Sequence, residues 1–366
     1  MSTATITPLP APAAHEVELS TDPDAAVAAE LDALRAEIVA SLGATDAAYV
    51  RRVVTNQRRL ELAGRALLLG GVLPPAWLAG TALLSLAKIL ENMEIGHNVM
   101  HGQWDWMRDP ELHSSTWEWD NVCPSRQWRK THNFEHHTWT NVRGRDRDIG
   151  YGILRVDPEQ PWRPEHLAQP AIFVLLALLF EYGVALHDLR FDPRNPPKWE
   201  EVAPTLTETG RKVRRQLTKD YVVWPALALP LGVPSALAAA SGALVANLVR
   251  NLWSFTVIFC GHFPDGVRFI DPAEAEGESR GGWYRRQIEG SANFTGGPLV
   301  HLLSGNLDHQ IEHHLFPDLP SNRYAEIAPR VREICERHGL PYNTGSLPRQ
   351  FATVVRKVLR FSLPWT

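Results

Sequence analysis

Two long apolar segments, each interrupted by proline, constrain the fold of this chain most strongly. The first runs from about residue 60 to 96 and breaks at Leu73-Pro74-Pro75. The second runs from about 221 to 260 and breaks near Gly232-Val233-Pro234. Proline ends a helix, so each segment predicts a helical hairpin. The second arms reach the length of about 20 residues that crosses a bilayer. The first arms reach it only if flanking residues such as Arg65 snorkel or the bundle is thinner.

Charge placement indicates that both hairpins cross a membrane. The turns 72–76 and 231–236 contain no charged residue. Cations crowd the open ends, as expected for segments that face the cytoplasm. These cations are Arg51, Arg52, Arg58, Arg59, Arg126, Arg129, Lys130, Arg143, Arg145, Arg147, Arg211, Lys212, Arg214, Arg215 and Lys219. We therefore expect an all-α integral membrane protein of the cell membrane, with about four spans and both termini in the cytoplasm. The alternative is a soluble protein with two buried helical hairpins.

Three further regions complete the predicted domain organisation. Residues 1–25 lack a basic start and an apolar core, which excludes a signal peptide and predicts a disordered tail. Residues 26–57 form an amphipathic helix region that lies on the protein or at the membrane surface. Residues 58–363 form the membrane domain. Its apolar block 170–186 is expected to be interfacial or re-entrant, because a single crossing there would separate the histidines described below.

The overall composition excludes several classes of protein. The formal net charge is −4, so no basic surface for nucleic acid is indicated. The three cysteines form no CxxC pair, which argues against a disulfide framework and fits a reducing cytoplasm. The mean hydropathy of −0.21 is typical of a soluble protein, but it averages over apolar blocks and polar stretches.

Histidine spacing is the strongest functional signal. Of fifteen histidines, nine fall in HNVMH, HNFEHH, FCGHFP and HQIEHH. A single HxxxHH is expected by chance well under once in such a chain, and here it occurs twice. Residues four apart share a helix face, and the next residue is turned by about 100°. The boxes can therefore reach two nearby points. The predicted metal ligands are His97, His101, His132, His136, His137, His262, His309, His313 and His314.

These boxes predict a dinuclear metal site in a cytoplasmic helical cap. Imidazole binds Zn, Cu, Fe and Ni. A structural zinc site closes with four ligands and often uses cysteine, which these boxes lack. We expect a redox-active pair of iron ions that leaves positions open for O₂. A carboxylate-bridged pair would need two Glu-x-x-His motifs, and Glu94 to His97 is the only one. His301 is the main rival for an additional ligand.

Carboxylates and one amide beside the boxes are expected to hold the second ring nitrogens of the ligands. Asn306 is also a candidate to approach a metal directly or through water. The candidates for this outer layer are Glu94, Glu135, Asn306, Asp308 and Glu312.

The histidine boxes carry a family resemblance. HNVMH, HNFEHH and HQIEHH after two hairpins resemble the boxes of membrane fatty-acid desaturases, from roughly Arg58 to Leu363. The stretches HNVMHGQWDWM, STWEWD, SRQWRKTHNFEHHTWTNVRG and LSGNLDHQIEHHLFPDLPSNR look like actinobacterial acyl-CoA Δ9 desaturases of the stearoyl-CoA type. The resemblance implies a non-haem di-iron centre. It also implies that O₂ places a cis double bond, at Δ9, in a long-chain acyl-CoA.

The same resemblance implies an electron donor. Two electrons come from NADPH through a separate reductase that uses flavin or an iron–sulfur cluster. The sequence from Gln310 to His314 matches the glutamine form of front-end desaturases, which usually carry a fused cytochrome b5. No His-Pro-Gly-Gly haem motif occurs, so we expect no fused cytochrome b5. The second and third boxes have three residues before the HH pair, where many desaturases have two.

A CoA headgroup would need cations at the cytoplasmic mouth of an acyl tunnel. The substrate candidates are Arg58, Arg126, Arg129 and Lys130, with Trp128 as a tunnel-lining residue.

The boxes leave a second reaction open, because membrane di-iron hydroxylases of fatty acyl, alkane and other lipid substrates share them. A third hypothesis is that the protein is a metal transporter. Transporters keep polar groups near the bilayer midplane, whereas these boxes lie at or beyond the helix ends.

Overall fold

The computed structural model describes residues 24–187, 189 and 197–365, which are mostly helical. The predicted tail 1–25 therefore lies outside the described residues except for Asp24 and Ala25. Helix α1 spans Ala25–Ser41 and packs on the protein. Its buried residues contact a core that includes Tyr284, Ile327 and Val331. The predicted helical face is confirmed at Val27, Leu31, Leu34 and Ile38.

The first hairpin consists of α2, Ala44–Leu69, and α3, Pro74–Leu90. Helix α2 crosses the predicted boundary at residue 58, so the first arm is longer than the apolar pattern indicated. The predicted break at Pro74 is confirmed, because α3 begins there. The two helices approach closely at Gly64, where a Cβ atom would lie 2.7 Å from the backbone nitrogen of Leu84.

Helix α3 continues into the first histidine box and the second box follows on short helices. A π-helix, Glu91–His97, is followed by α4, Asn98–Met100. The second box lies on α5, Ser125–Trp128, a π-helix, Arg129–His136, and α6, His137–Trp139. Short 3₁₀ turns span Asp105–Met107, Ile149–Gly152 and Pro164–Ala168.

The apolar block 170–186 forms a bent pair. Helix α7 spans Gln169–Leu178 and α8 spans Phe180–His187. The segments Pro164–Leu178 and Phe180–His187 meet at 102°. A straight crossing at this block, which the sequence argued against, does not form.

The second hairpin pairs a segmented arm with one long helix. The first arm contains α9, Trp199–Thr218, a π-helix, Lys219–Val223, and α10, Trp224–Ala228. After a 3₁₀ turn, Leu229–Leu231, helix α11 spans Val233–His262. Helix α11 packs against α2 and α3. His262 is the last residue of α11, as the sequence predicted.

The remaining elements follow α11 along the chain. They are α12, Pro272–Ala275; α13, Arg280–Glu289; β1, Asn293–Thr295; α14, Pro298–Ser304; a 3₁₀ turn, Leu307–His309; α15, Gln310–Leu315; a 3₁₀ turn, Ser321–Arg323; α16, Tyr324–Arg337; β2, Thr344–Ser346; and α17, Leu347–Phe361. The two strands pair in parallel, with Phe294 opposite Gly345. This small sheet was not expected from an all-α prediction.

One helix of the described residues, α11, is long and apolar enough to cross a membrane. The bent pair of α7 and α8 passes the same length and composition test only when it is counted as one span. The four predicted spans therefore stay a prediction.

A buried charge cluster joins the helices of the two hairpins. The carboxylate of Asp220 is fully buried and accepts hydrogen bonds from Arg65 at 2.8 Å and Lys88 at 2.9 Å. Asn247 of α11 adds a third donor at 3.1 Å. A buried carboxylate needs such partners, because an unpaired charge away from water is strongly unfavourable.

Candidate metal centre

Eight of the nine predicted histidine ligands converge beside the ends of α3 and α11. They come from four separate parts of the chain and all eight are buried. They are His97 and His101 after α3, His132, His136 and His137 of the second box, His262 at the end of α11, and His313 and His314 of α15.

The ligating atoms form two groups. His97, His101, His132 and His313 place one ring nitrogen each within 4.8 Å of one another. His136, His262 and His314 form a second group by the same criterion. Two neighbouring sets of nitrogen atoms fit two metal ions.

His137 lies between the two groups. Its ring centroid is 4.7 Å from that of His101 in the first group and 4.4 Å from that of His314 in the second. Both of its ring nitrogens are buried without a hydrogen-bond partner among the described residues. His137 can therefore complete either set.

π-Helical turns shape the first two boxes. His97 ends one π-helix, and His132 and His136 lie on another. The sequence predicted α-helical spacing of the histidines in every box. A π-turn is wider than an α-turn and is frequent at functional sites. The rings of His132 and His136 stack with centroids 5.0 Å apart, but His132 belongs to the first group and His136 to the second, so these two residues do not serve one point.

Two carboxylates after the second box hold its histidines. The Nδ1 atom of His136 lies 3.0 Å from Asp146, and that of His132 lies 3.2 Å from Asp148. An Nδ1–H donor to a carboxylate leaves Nε2 free to bind a metal. Burial would raise the pKa of Asp148, but His136, His132 and His187 hold it well below its ordinary value. Asp148 is therefore a carboxylate.

The third box uses neutral partners. Tyr324 donates to the carbonyl of Phe316 at 3.0 Å, so its oxygen can accept from Nδ1 of His313 at 3.2 Å. The side-chain oxygen of Gln287 lies 3.1 Å from Nδ1 of His314. Both arrangements direct Nε2 of the histidine toward the centre.

The donor set fits metal ions. The Nε2 atoms of His101, His132, His136 and His314 are buried and have no hydrogen-bond partner within the described part of the chain. Burial and then the neighbouring imidazoles hold the pKa of His137, His313 and His314 well below the ordinary value. Neutral imidazoles with unpaired nitrogens are the form that binds metal.

His309 departs from the prediction. Its backbone angles, φ −100° and ψ 56°, are not helical, and α15 begins only at Gln310. The helix face that was expected to align His309 with His313 is therefore absent. His309 instead lies beside His301 and Asp308 and belongs to neither of the two histidine groups.

The five outer-layer candidates bond elsewhere. Glu94 accepts from Tyr49, Ser321 and Asn306, so Asn306 also faces Glu94. Glu135 pairs with Arg147 at 3.3 Å. Asp308 binds His301 and Ser304, and Glu312 accepts from Asn293 and Tyr342 at 2.9 Å.

Sequence reasoning missed the residues that do hold the rings. A sequence pattern could have identified Asp146 and Asp148, because they alternate in Arg-Asp-Arg-Asp shortly after the second box. No such pattern pointed to Gln287 and Tyr324, because they reach the centre from α13 and α16.

A cavity borders the first group of histidines. His97, His132, Trp128, Phe180 and Ile258 are among its lining residues. The Trp128 ring stacks on His132 with centroids 4.4 Å apart. Trp128, the predicted lining residue, is thus at the edge of both the cavity and the histidines.

The four candidate cations differ in their surroundings. Arg58 is exposed and lines a surface pocket with Lys212, Arg215 and Lys219. Arg126 pairs with Glu208 at 2.9 Å, Arg129 donates to the carbonyl of Ser114, and Lys130 is exposed. Of these four, only Arg58 lines a described pocket.

Comparison with known proteins agrees with this geometry. The sequence model of the fatty acid desaturase family matches residues 73–346. The NADPH-dependent stearoyl-CoA 9-desaturase of Mycobacterium tuberculosis is 50% identical over 92% of this chain and 80% of its own. The sn-1 linoleoyl-lipid 6-desaturase of Synechocystis is 28% identical over 74% of this chain and 76% of its own. The acyl-lipid (7-3)-desaturase of Rebecca salina is 30% identical over 59% of this chain and 48% of its own.

The matched region contains every histidine of the two groups, and those histidines are the boxes that first indicated the resemblance. The chain is therefore an oxidoreductase that belongs to the fatty acid desaturase family.

Proposed function

We propose that the chain desaturates a long-chain fatty acyl-CoA and forms a cis double bond at Δ9. The observation that carries this proposal is the convergence of eight buried histidines in two groups. The activity for which the mycobacterial relative is named suggests the substrate class and the bond position. The reaction consumes O₂, two electrons and two protons. It removes two hydrogens from adjacent carbons and releases two waters.

Two iron ions are the proposed cofactor. His97, His101, His132 and His313 would hold one, and His136, His262 and His314 the other, with His137 between them. When bound, iron supplies the activation of O₂ that removal of hydrogen from an unactivated methylene requires. The protein's own part is to fix each ring through Asp146, Asp148, Tyr324 and Gln287.

The acyl chain is proposed to enter the cavity beside His97 and His132. Trp119 and Asn121 line both this cavity and the surface pocket that contains Arg58. These residues therefore form a shared wall between the two spaces. This pocket carries four cations and four carboxylic acids, and its cations would bind the phosphates of CoA while the apolar chain passes inward. Trp128 would hold the chain against the rings of His97 and His132.

The proposed setting is the cell membrane, with two hairpins inserted and the cap in the cytoplasm. Support comes from exposed apolar residues at the closed ends of both hairpins. A soluble protein rarely exposes such a large apolar surface. These residues are Leu67, Val72, Leu73, Leu78, Leu227, Leu229, Leu231, Val233 and Leu237. Electrons would come from a separate NADPH-dependent reductase, in line with the name of the mycobacterial relative.

The test is product analysis with the purified, iron-loaded chain, stearoyl-CoA, NADPH and a compatible reductase. Gas chromatography–mass spectrometry after derivatisation of the double bond should show a cis monoene at the ninth carbon. The His136→Ala variant should form none.

Other products would change the assignment. Hydroxylated chains without a monoene would assign the protein to the membrane di-iron hydroxylases. Activity on acyl-lipid but not on acyl-CoA would retain desaturation and overturn the proposed carrier.

A further inference from the structure

Three residues form a second candidate metal site outside the eight-histidine centre. His301, Asp308 and His309 each place one ligating atom within 4.8 Å of the others. Nδ1 of His301 is hydrogen-bonded to Asp308, and Nε2 of His309 lies 3.7 Å from the same carboxylate oxygen. The two imidazole rings are 5.1 Å apart and tilted by only 30°.

The backbone after α14 brings these side chains together. Gly305 and Asn306 are both left-handed, with φ 71° and 58°. The chain therefore reverses, and the nitrogen of Asn306 donates to the carbonyl of His301 at 2.7 Å. Position 305 requires glycine, because a Cβ there would lie 2.7 Å from the carbonyl oxygen of Met93. The turn Leu307–His309 then places Asp308 and His309 beside His301.

The site is prepared for a cation. Asp308 is fully buried, and the hydroxyl of Ser304 donates to its other oxygen at 2.9 Å. Nε2 of His309 is buried and has no hydrogen-bond partner in the described residues. Nδ1 of His309 faces the buried carboxylate of Glu312 at 3.9 Å. Metal-binding histidines commonly have one ring nitrogen directed at a carboxylate and the other free to bind the metal, and His309 shows this arrangement.

We propose that His301, Asp308 and His309 bind one Zn²⁺ ion in addition to the two metals of the main centre. Two imidazoles and one carboxylate are ligands that suit this ion. The side chains of His301 and His309 are 24% and 16% exposed, so water can reach the remaining coordination position. The ion would replace the direct contact between His301 and Asp308. It would also tie α14 to the segment that enters the third histidine box.

The test counts metals on the iron-loaded, full-length protein. The protein is equilibrated with Zn²⁺, desalted and analysed for both elements by mass spectrometry. The wild type should retain one more zinc per chain than His301→Ala or His309→Ala, at equal iron. The double variant should lose one zinc and not two, because both residues serve the same ion.

His113→Ala is the matched control. Nδ1 of His113 lies 3.7 Å from Asp105, but neither residue belongs to a candidate metal group of the described chain. This variant should keep the additional zinc.

Thermal unfolding gives a second readout, since an ion that binds only the folded state raises the midpoint. Zinc should raise the midpoint of the wild type and not that of His301→Ala. Equal zinc content and equal midpoint shifts in these two proteins would overturn the site, even if desaturation itself were established.

Discussion

The Nδ1 atom of His136 lies 3.0 Å from both carboxylate oxygens of Asp146, and both side chains are buried. Asp146 is itself fixed, because it accepts the backbone N–H groups of Asn141 at 2.7 Å and Asp148 at 2.9 Å. Burial would lower the pKa of His136, but the carboxylates of Asp146 and Asp148 raise it to about 8. The pair therefore makes Nε2 of His136 a well-oriented and strongly basic metal ligand.

Replacing Asp146 with asparagine should weaken iron binding by about 10- to 100-fold, because the ring of His136 loses its negatively charged partner. Titration of the iron-loaded protein with a chelator measures this change. Asp157→Asn is the control, since Asp157 is also buried but pairs with Arg143. Equal iron loss in the two variants would show that Asp146 acts only on general stability.

The carboxylate of Asp220 should be essential for the stability of the bundle. Asp220→Asn removes the anion that Arg65 and Lys88 share, and leaves Arg65 with Glu61 at 2.9 Å and Lys88 with Asp120 at 3.6 Å. Because these partners remain, the loss of stability should be smaller than the about 3–5 kcal/mol of a buried charge left without any partner. Unfolding in detergent measures the loss. Asp109→Asn, in an exposed pair with Arg51, should change the stability little.

Removal of a cation should offset the loss of Asp220. The double variant Asp220→Asn with Lys88→Met should be more stable than Asp220→Asn alone, because it removes a buried cation whose remaining carboxylate, Asp120, lies 3.6 Å away. A double variant that is less stable would contradict this explanation of the cluster.

Lys357 should make stability depend on pH. Burial lowers its pKa to about 8, and the nearby carboxylates of Asp265 and Asp157 only partly oppose this. In the unfolded chain the lysine pKa is about 10.4, so between these values the unfolded state binds more protons. The folded wild type is therefore stabilised as pH rises through this window.

Comparison with Lys357→Met isolates this contribution. The unfolding free energy of the wild type minus that of the variant should increase by at most about 1.4 kcal/mol per pH unit between pH 8 and 10. Below pH 8 the difference should be constant. Parallel pH curves throughout would contradict the lowered pKa.

Arg58 should contribute to substrate binding and not to chemistry. Arg58→Glu reverses an exposed charge in the pocket that adjoins the cavity through Trp119 and Asn121. We expect a several-fold higher KM for acyl-CoA with little change in kcat, because the lost contact would bind the substrate and the transition state equally well. Arg332→Glu, on the exposed face of α16, should leave KM unchanged. An unchanged KM in Arg58→Glu would remove Arg58 from the substrate path.

Local sequence patterns predicted those parts of the structure that depend on local geometry. The face of Val27, Leu31, Leu34 and Ile38, the break at Pro74 and the position of His262 at the end of a helix all follow from spacing and proline. The boxes HNVMH, HNFEHH, FCGHFP and HQIEHH together contain all eight histidines that converge.

The patterns failed where the backbone leaves the assumed helix or where distant segments meet. His309 lies outside the centre because its ψ of 56° ends the helical path just before α15. Asp146 returns to His136 because Asn141 and Gly144 are left-handed, at φ 56° and 72°. Tyr324 and Gln287 arrive by tertiary packing, which spacing within one box cannot reveal.

In the proposed centre, eight histidines, without His309, hold two iron ions. Iron content and Mössbauer spectra of ⁵⁷Fe-loaded wild type, His313→Ala and His309→Ala test it most directly. We predict two coupled irons per chain in the wild type and in His309→Ala, and loss of the coupled pair in His313→Ala. A single iron in the wild type, or equal loss of iron in His309→Ala and His313→Ala, would contradict the account.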